Sequence, residues 1–157
     1  MTRTDHFHDP KAPQPNSIVI AVSTFVLDED ERLLMIRRTD NDLYGLPGGR
    51  HELGETMTET AIRETKEETG IAVEVTSLVG IFSNPDHVLS YDDGEVRQEF
   101  SICFRARAVG GSARTSDESS EVIWVPRGEL GTRDIHPSIR LRIDHGFRGG
   151  EAPPYYT

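Results

Sequence analysis

The chain has a single cysteine, Cys103, so an internal disulfide is excluded and a reducing, cytoplasmic setting is expected. No apolar run approaches the roughly 20 residues that a membrane helix needs, which leaves no membrane partner to expect. The first residues carry His6, Asp9 and three prolines (Pro10, Pro13, Pro15) where a secretory leader would need an apolar stretch. Basic residues are scarce as well: 17 Lys and Arg stand against 27 Asp and Glu, a formal charge of −10. Duplex nucleic acid is recognised by neutralising phosphates, so this balance argues against it as a partner. A small phosphorylated ligand stays open, because a bound cation inverts the local sign. Internal repeats and a second domain are also missing, and 157 residues suffice for one domain with a real core.

What is present concentrates between Gly48 and Ile71. A glycine pair, Gly48-Gly49, precedes Glu52, Glu55, Glu59, Glu64, Glu67 and Glu68, and the stretch closes on Gly70. Thr56 followed by Glu59 is a capping box, which satisfies the first free amides of a helix. Gly70 suits the left-handed position that ends one, and β-branched Ile71 and Val73 then favour a strand. The segment therefore reads as a Gly-rich loop, a helix over residues 57–69 and an exit into a strand. On that helix Glu64, Glu67 and Glu68 fall at i, i+3, i+4 and share one face. Arg63 and Lys66 are expected to project away from the centre of that face. Three like charges repel, and a hard divalent cation, Mg²⁺ or Mn²⁺, would relieve them through oxygen ligands. The plain alternative is a solvated acidic face.

Around this stretch the chain is simpler. Residues 1–16 are polar and proline-spaced and predict a flexible N-terminal arm, in which His6 and His8 are solvated. Ser17–Leu27 is a nearly continuous apolar run, the mark of a strand covered on both faces. An acidic turn at 28–31 leads to a second strand, Leu33–Arg37, and Arg37 and Arg38 offer either an exposed strand end or phosphate contacts. Ile71–Phe82 is strand-like, and Ser83–Arg97 reads as a loop with turn signals at Asn84-Pro85 and Asp93-Gly94. Phe100, Ile102, Phe104, Ala106 and Ala108 alternate with Ser101, Cys103, Arg105 and Arg107, a half-buried strand in which Cys103 is packing. Val122–Val125 is a short strand with Trp124 in the core, and Pro137–His145 reads as a helix opened by proline. The order predicts an α/β fold, a mixed sheet with helices on both sides, over residues 17–148, and a loose C-terminal tail over 149–157.

The spacing Gly49, five residues, Glu55, seven residues, Arg63-Glu64-Thr65-Lys66-Glu67-Glu68-Thr69-Gly70-Ile71 resembles the Nudix box at every fixed position. Thr65 stands where a larger aliphatic residue is commoner, and Gly45-Leu46-Pro47-Gly48 is similar to the usual approach to the box. The resemblance implies an α/β/α sandwich with the box helix beside the sheet. It also implies a Mg²⁺-dependent hydrolase, Mn²⁺ substituting, that cleaves the pyrophosphate of a nucleoside diphosphate linked to another group. Carried over by position, Glu67, Glu68 and the carbonyl of Gly48 match the metal ligands, and Glu64 matches a ligand or general base. Arg63 matches the arginine that braces loop against helix, through a carboxylate such as Glu55. Glu52 is a second base candidate, and Glu118 stands where small members draw a distant ligand, with Glu95 and Asp117 as competitors.

The substrate is less defined by the residues. An NTP, a dNTP or an ADP-ribose-like nucleotide sugar fits the resemblance. Pro85, fifteen residues past Gly70, matches a proline that ADP-ribose hydrolases tend to carry. Tyr44, Phe82 and Tyr91 are candidates to stack a base, Arg37 and Arg38 to meet phosphate, and Asp86 and Glu95 to accept hydrogen bonds from a sugar or base. A catalytically silent nucleotide sensor is the alternative, but sensors usually lose box glutamates and carry a DNA-binding domain, and this chain does neither. An mRNA-cap hydrolase is disfavoured by the acidic charge and the lack of RNA-binding extensions. A homodimer is an admissible assembly.

Overall fold

Ser17–Leu27 is strand because valine, isoleucine and threonine fill it and because cover on two faces rewards that composition. The computed structural model describes residues 2–157. Its elements are β1 (Arg3–Phe7), β2 (Ser17–Leu27), β3 (Leu33–Arg38), β4 (Tyr44–Gly45), β5 (Gly48–Arg50), α1 (Met57–Thr69), β6 (Ile71–Tyr91), β7 (Val96–Gly111), β8 (Ser119–Val125), a 3₁₀ segment (Arg127–Thr132), α2 (Pro137–Gly146) and β9 (Tyr155–Tyr156). The strands form one mixed sheet in the order β1-β6-β7-β2-β3-β4, with β5 on β2, β8 on β3 and β9 on β6. β2 runs parallel to β7 along its whole length, from Ser17 beside Arg97 to Leu27 beside Arg107.

Alternation along β2 and β3 divides the core between the two faces. Phe25, Leu33 and Met35 join Val79, Phe82, Cys103, Val125 and Ile143 on the side of α2. Val26 and Leu34 join Ile71, Val73 and Ala106 on the other. Helix α1 docks with few large apolar side chains; its buried positions include Thr60, Ala61, Thr65 and Thr69. Thr65, the one unusual box position, earns its place by hydrogen bonding. Its hydroxyl donates to the Ala61 carbonyl at 2.7 Å and lies 3.0 Å from the Thr24 hydroxyl of β2, so no buried polar atom is stranded there. The helix ends are those the sequence predicts: Thr56 Oγ1 accepts from the Glu59 amide at 3.2 Å, and Gly70 closes the helix at φ 77°.

Close approach also positions α2. A Cβ on Gly146 would collide with the ring of Phe25, which is fully buried and has nowhere to move. Gly146→Ala should therefore lower stability by about 1–3 kcal/mol, the usual scale of overpacking. Gly128→Ala, with open space around it, should stay within about 0.5 kcal/mol. Denaturant midpoints of the two variants check the contrast.

Three expectations from the sequence differ from the structure: the arm, the loop and the tail. The predicted arm contains β1, which pairs antiparallel with β6 from Arg3 opposite Tyr91 to Phe7 opposite His87. Polar composition hid it, because its partners, Asp40 for Arg3 and His87 for Asp5, lie far along the chain. The predicted loop at 83–97 is mostly hairpin: β6 runs to Tyr91, a turn spans 92–95, and β7 starts at Val96. Pro85 is accommodated where the ladder with β7 is interrupted between Asn84 and Val88. Cys103 is packing, as expected: in β7 the face carrying Ser101 and Cys103 is buried under α2, and Arg105 on the same face donates to the Gly146 carbonyl at 2.9 Å. The tail is held too, through Tyr155 and Tyr156 beside Gly80 and Ile81 and through Thr157 on Ser83.

Candidate active site

Strand β5 is the floor of the site, and its glycines allow two close approaches. A Cβ on Gly48 would meet the Val22 carbonyl of β2, and one on Gly49 would lie 2.5 Å from the Glu64 carboxylate. Bare backbone at these positions lets β5 pair with β2 (Gly48 opposite Ser23, Gly49 opposite Val22) while α1 packs its glutamates directly above.

The three helix glutamates have different surroundings. Glu68 is 3 % exposed, and its recorded partner is the Gly48 amide, which donates to Oε2 at 3.3 Å. Burial dominates and pushes its pKa up to about 8; the Gly48 amide and the charge of Arg38 oppose this, and the charges of Glu64 and Glu118 add to it. Glu64 is also buried, and burial raises its pKa, countered by Arg63 Nη1, which donates to Oε1 at 2.8 Å. Glu67 is exposed and takes a second bond from the same Nη1 at 3.2 Å.

Arg63 therefore does not project away from the cluster, as its place in the helix predicted. Its long side chain turns along the helix and forks onto Glu55, with Nε to Oε2 at 2.7 Å and Nη2 to Oε1 at 2.9 Å. The hydrogen bond from Arg63 holds the Glu55 carboxyl at about 2. Nη2 also reaches the Arg50 carbonyl at 3.2 Å and stands 4.0 Å from Glu52. One guanidinium thus ties the loop, β5 and the helix together. Lys66 does point elsewhere, to the Gly70 carbonyl at 3.1 Å.

Outside the helix, Glu118 is exposed but close enough for its charge to raise both Glu64 and Glu68. Arg38 brings positive charge toward Glu68 and Glu118 and is forked onto Asp40 at 2.9 and 2.8 Å. Arg37 turns to Asp42 and, with Tyr44 and Arg133, lines a separate polar cavity of about 500 Å³. Asp86, Tyr91 and Glu95 make their contacts in or beside the β6–β7 hairpin: Asp86 with His8, Tyr91 and Glu95 with Arg97. Asp117 contributes its carbonyl to the Thr39 hydroxyl. Two supporting groups escaped the sequence reading. His51 Nδ1 lies 2.7 Å from the Thr60 hydroxyl, which also contacts Glu55, and Ser119 donates to the Glu68 carbonyl at 2.6 Å. Neither lies at a recognisable spacing, so no pattern announces them.

The glutamates fit a hard divalent cation by their chemistry. Glu68 is a buried carboxylate with no cationic side chain bonded to it, Glu64 and Glu118 add negative charge beside it, and the glycine floor leaves backbone next to these oxygens. A mixed sheet between helices, with a carboxylate cluster on a helix set against a glycine strand, defines an α/β/α protein with a cation-ready acidic site. A family model described as NUDIX domain matches residues 18–144. The chain is 40 % identical over 123 residues to a MutT-like protein of Streptomyces ambofaciens, covering 78 % of this chain and 73 % of that protein. It is 36 % identical over 128 residues to an ADP-ribose pyrophosphatase of Methanocaldococcus jannaschii, covering 76 % of this chain but only 64 % of the relative's length. Among solved structures, a NUDIX hydrolase from Nitrosomonas europaea superposes with a TM-score of 0.71 at 18 % identity, over 87 % of this chain and 93 % of that one, a likeness of fold. The chain belongs to the Nudix hydrolase family. No helix among the described residues is long and apolar enough to cross a membrane.

Proposed function

We propose that the protein is a Mg²⁺-dependent pyrophosphohydrolase. Its substrate is a nucleoside diphosphate linked to another group, either a nucleoside triphosphate or an ADP-ribose-like nucleotide sugar. The observation that carries this reading is Glu68: a carboxylate buried against the Gly48 amide, with its pKa raised by that burial, gains most from a cation. The Methanocaldococcus jannaschii relative, an ADP-ribose pyrophosphatase, supports the nucleotide-sugar arm.

In this reading Glu67, Glu68, Glu118 and the Gly48 carbonyl would hold the ion, leaving Glu64 as the base. When bound, it supplies screening of the pyrophosphate charge and acidification of the attacking water. The remaining work belongs to the chain. Arg63 and Glu55 keep the loop and helix in register, and Arg38 offers positive charge to a phosphate from the side of β3. Glu64 accepts the proton of the attacking water; a new P–O bond forms at one phosphorus as the bridging P–O bond breaks, and the second phosphate leaves with the bridging oxygen. Glu64 is preferred to Glu52 because it is buried and fixed on a helix, whereas Glu52 is exposed on the loop.

A phosphate-release screen with Mg²⁺ against NTPs, dNTPs, ADP-ribose, dinucleoside polyphosphates and NADH tests the proposal; no turnover of any of them would overturn it. On the best substrate, Glu64→Gln should lower kcat by more than about 100-fold and Glu52→Gln by only about two- to five-fold. The opposite order would move the base to the loop.

A further inference from the structure

One convergence of side chains lies outside the glutamate site. Asp5 of β1, His87 of β6 and His136, the residue before α2, each offer one ligand atom, all within 4.8 Å of one another, and the two imidazoles lie nearly parallel with centroids 4.9 Å apart. Asp5 Oδ1 lies 2.9 Å from His87 Nε2 and 3.7 Å from His136 Nε2. Four-coordinate Zn²⁺ with bonds of roughly 2.0–2.2 Å sets its ligands about 3.3–3.5 Å apart, between the two separations from Asp5, so side-chain adjustment brings these atoms to metal spacing. We propose that Asp5, His87 and His136 form a second metal site, of the Zn²⁺ class, that pins the N-terminal strand to the domain.

The outer partner of His87 supports this assignment. Ligating imidazoles are usually oriented by a hydrogen bond at the other ring nitrogen. His87 Nδ1 is 2.9 Å from Glu99 Oε2, and the other oxygen of Glu99 is held by buried Arg142 at 2.6 Å. His136 Nδ1 is 2.8 Å from the Ser138 hydroxyl. With Nδ1–H donating to Glu99, His87 turns its Nε2 toward Asp5, and any proton there passes to solvent on binding. His136 Nδ1 accepts from the Ser138 amide as the cap of α2, so its proton on Nε2 must move to Nδ1, toward the Ser138 hydroxyl, for the metal to bind. Phe7 packs T-shaped against both imidazoles, with centroids 5.3 and 4.9 Å away, while partly exposed Asp5 leaves an entry path. Two nitrogens and one carboxylate select Zn²⁺ or Co²⁺ over the hard ions expected at the glutamates, and three protein ligands leave a position for water.

The test uses the full chain stripped with chelator, then titrated with Zn²⁺ in excess Mg²⁺ against a chromophoric competitor. The expected result is one tight equivalent, retained in a Glu67→Gln/Glu68→Gln double variant and weakened at least about 100-fold by His136→Gln and by Asp5→Asn. Both ligands are partly exposed, so these variants should keep the fold, and circular dichroism verifies it. Co²⁺ added to the wild type should give the visible bands of a four-coordinate site, absent in His136→Gln. The assignment is overturned if no tight equivalent binds, if it is lost with the glutamates and kept without His136, or if Co²⁺ gives no such bands. Those outcomes would leave the three side chains as a proton-held clasp between β1 and the domain.

Discussion

Glu68→Gln should abolish most turnover while making the metal-free protein more stable, an opposite movement that few active-site substitutions produce. Loss of a preorganised charge at the reacting centre costs about 10²–10³-fold in kcat. The stability gain follows from linkage. With its pKa raised to about 8 in the folded state, Glu68 retains a proton that the unfolded chain releases near pH 4.5. Its burial is thus tolerated below about pH 4.5, and stability is lost as pH rises from there through about 8. Glutamine mimics the protonated form at every pH. In chelator the variant should match the wild type near pH 4.5 and exceed it at pH 8, by on the order of 3 kcal/mol or roughly 6–12 °C in thermal midpoint. Adding Mg²⁺ should stabilise the wild type more than the variant. Thermal melts at the two pH values, with and without Mg²⁺, check both arms; near-normal kcat in the variant at saturating Mg²⁺ would remove Glu68 from the site.

The second large effect is expected at Arg63. Its guanidinium bonds Glu55, Glu64 and Glu67 and the Arg50 carbonyl, and it stands near Glu52. Arg63→Ala leaves these carboxylates facing one another and frees the loop from the helix. The metal-free variant should melt below the wild type, with a larger gap at low salt, where repulsion is less screened. Mg²⁺ should close part of that gap. Activity should fall by about 100-fold even with Mg²⁺, because the loop is no longer held in register with the helix. Arg63→Lys should recover little, since an ammonium cannot fork onto Glu55 while also reaching Glu64 and the Arg50 carbonyl. A variant that melts with the wild type in chelator at low salt would show that the brace carries no energy.

Local signals made the site legible because its parts are close in sequence. Thr56, Glu59 and Gly70 mark the two ends of α1, and the turn of a helix brings Glu64, Glu67 and Glu68 together without help from distant residues. Helical position alone misplaced the direction of Arg63 for the same reason, whereas the family resemblance pointed to the Glu55 brace that the structure has. A helical position gives the Cβ direction, but a long flexible side chain goes where charge attracts it, and Glu55 and the Arg50 carbonyl lie outside the helix. In β7 the alternation was visible but its buried face was not, since that depends on where α2 packs.

By itself the sequence determined the extents of β2 and α1, the glycine pair and the glutamate face, all set by steric preference and periodicity within a few turns of chain. Only the tertiary structure decided that Glu68 is buried, that Glu118 rather than Glu95 lies beside the glutamates, and that residues 3–7 are a strand closed by His87 and His136. These outcomes rest on contacts between segments tens of residues apart, where burial and charge from one segment set the state of a side chain in another.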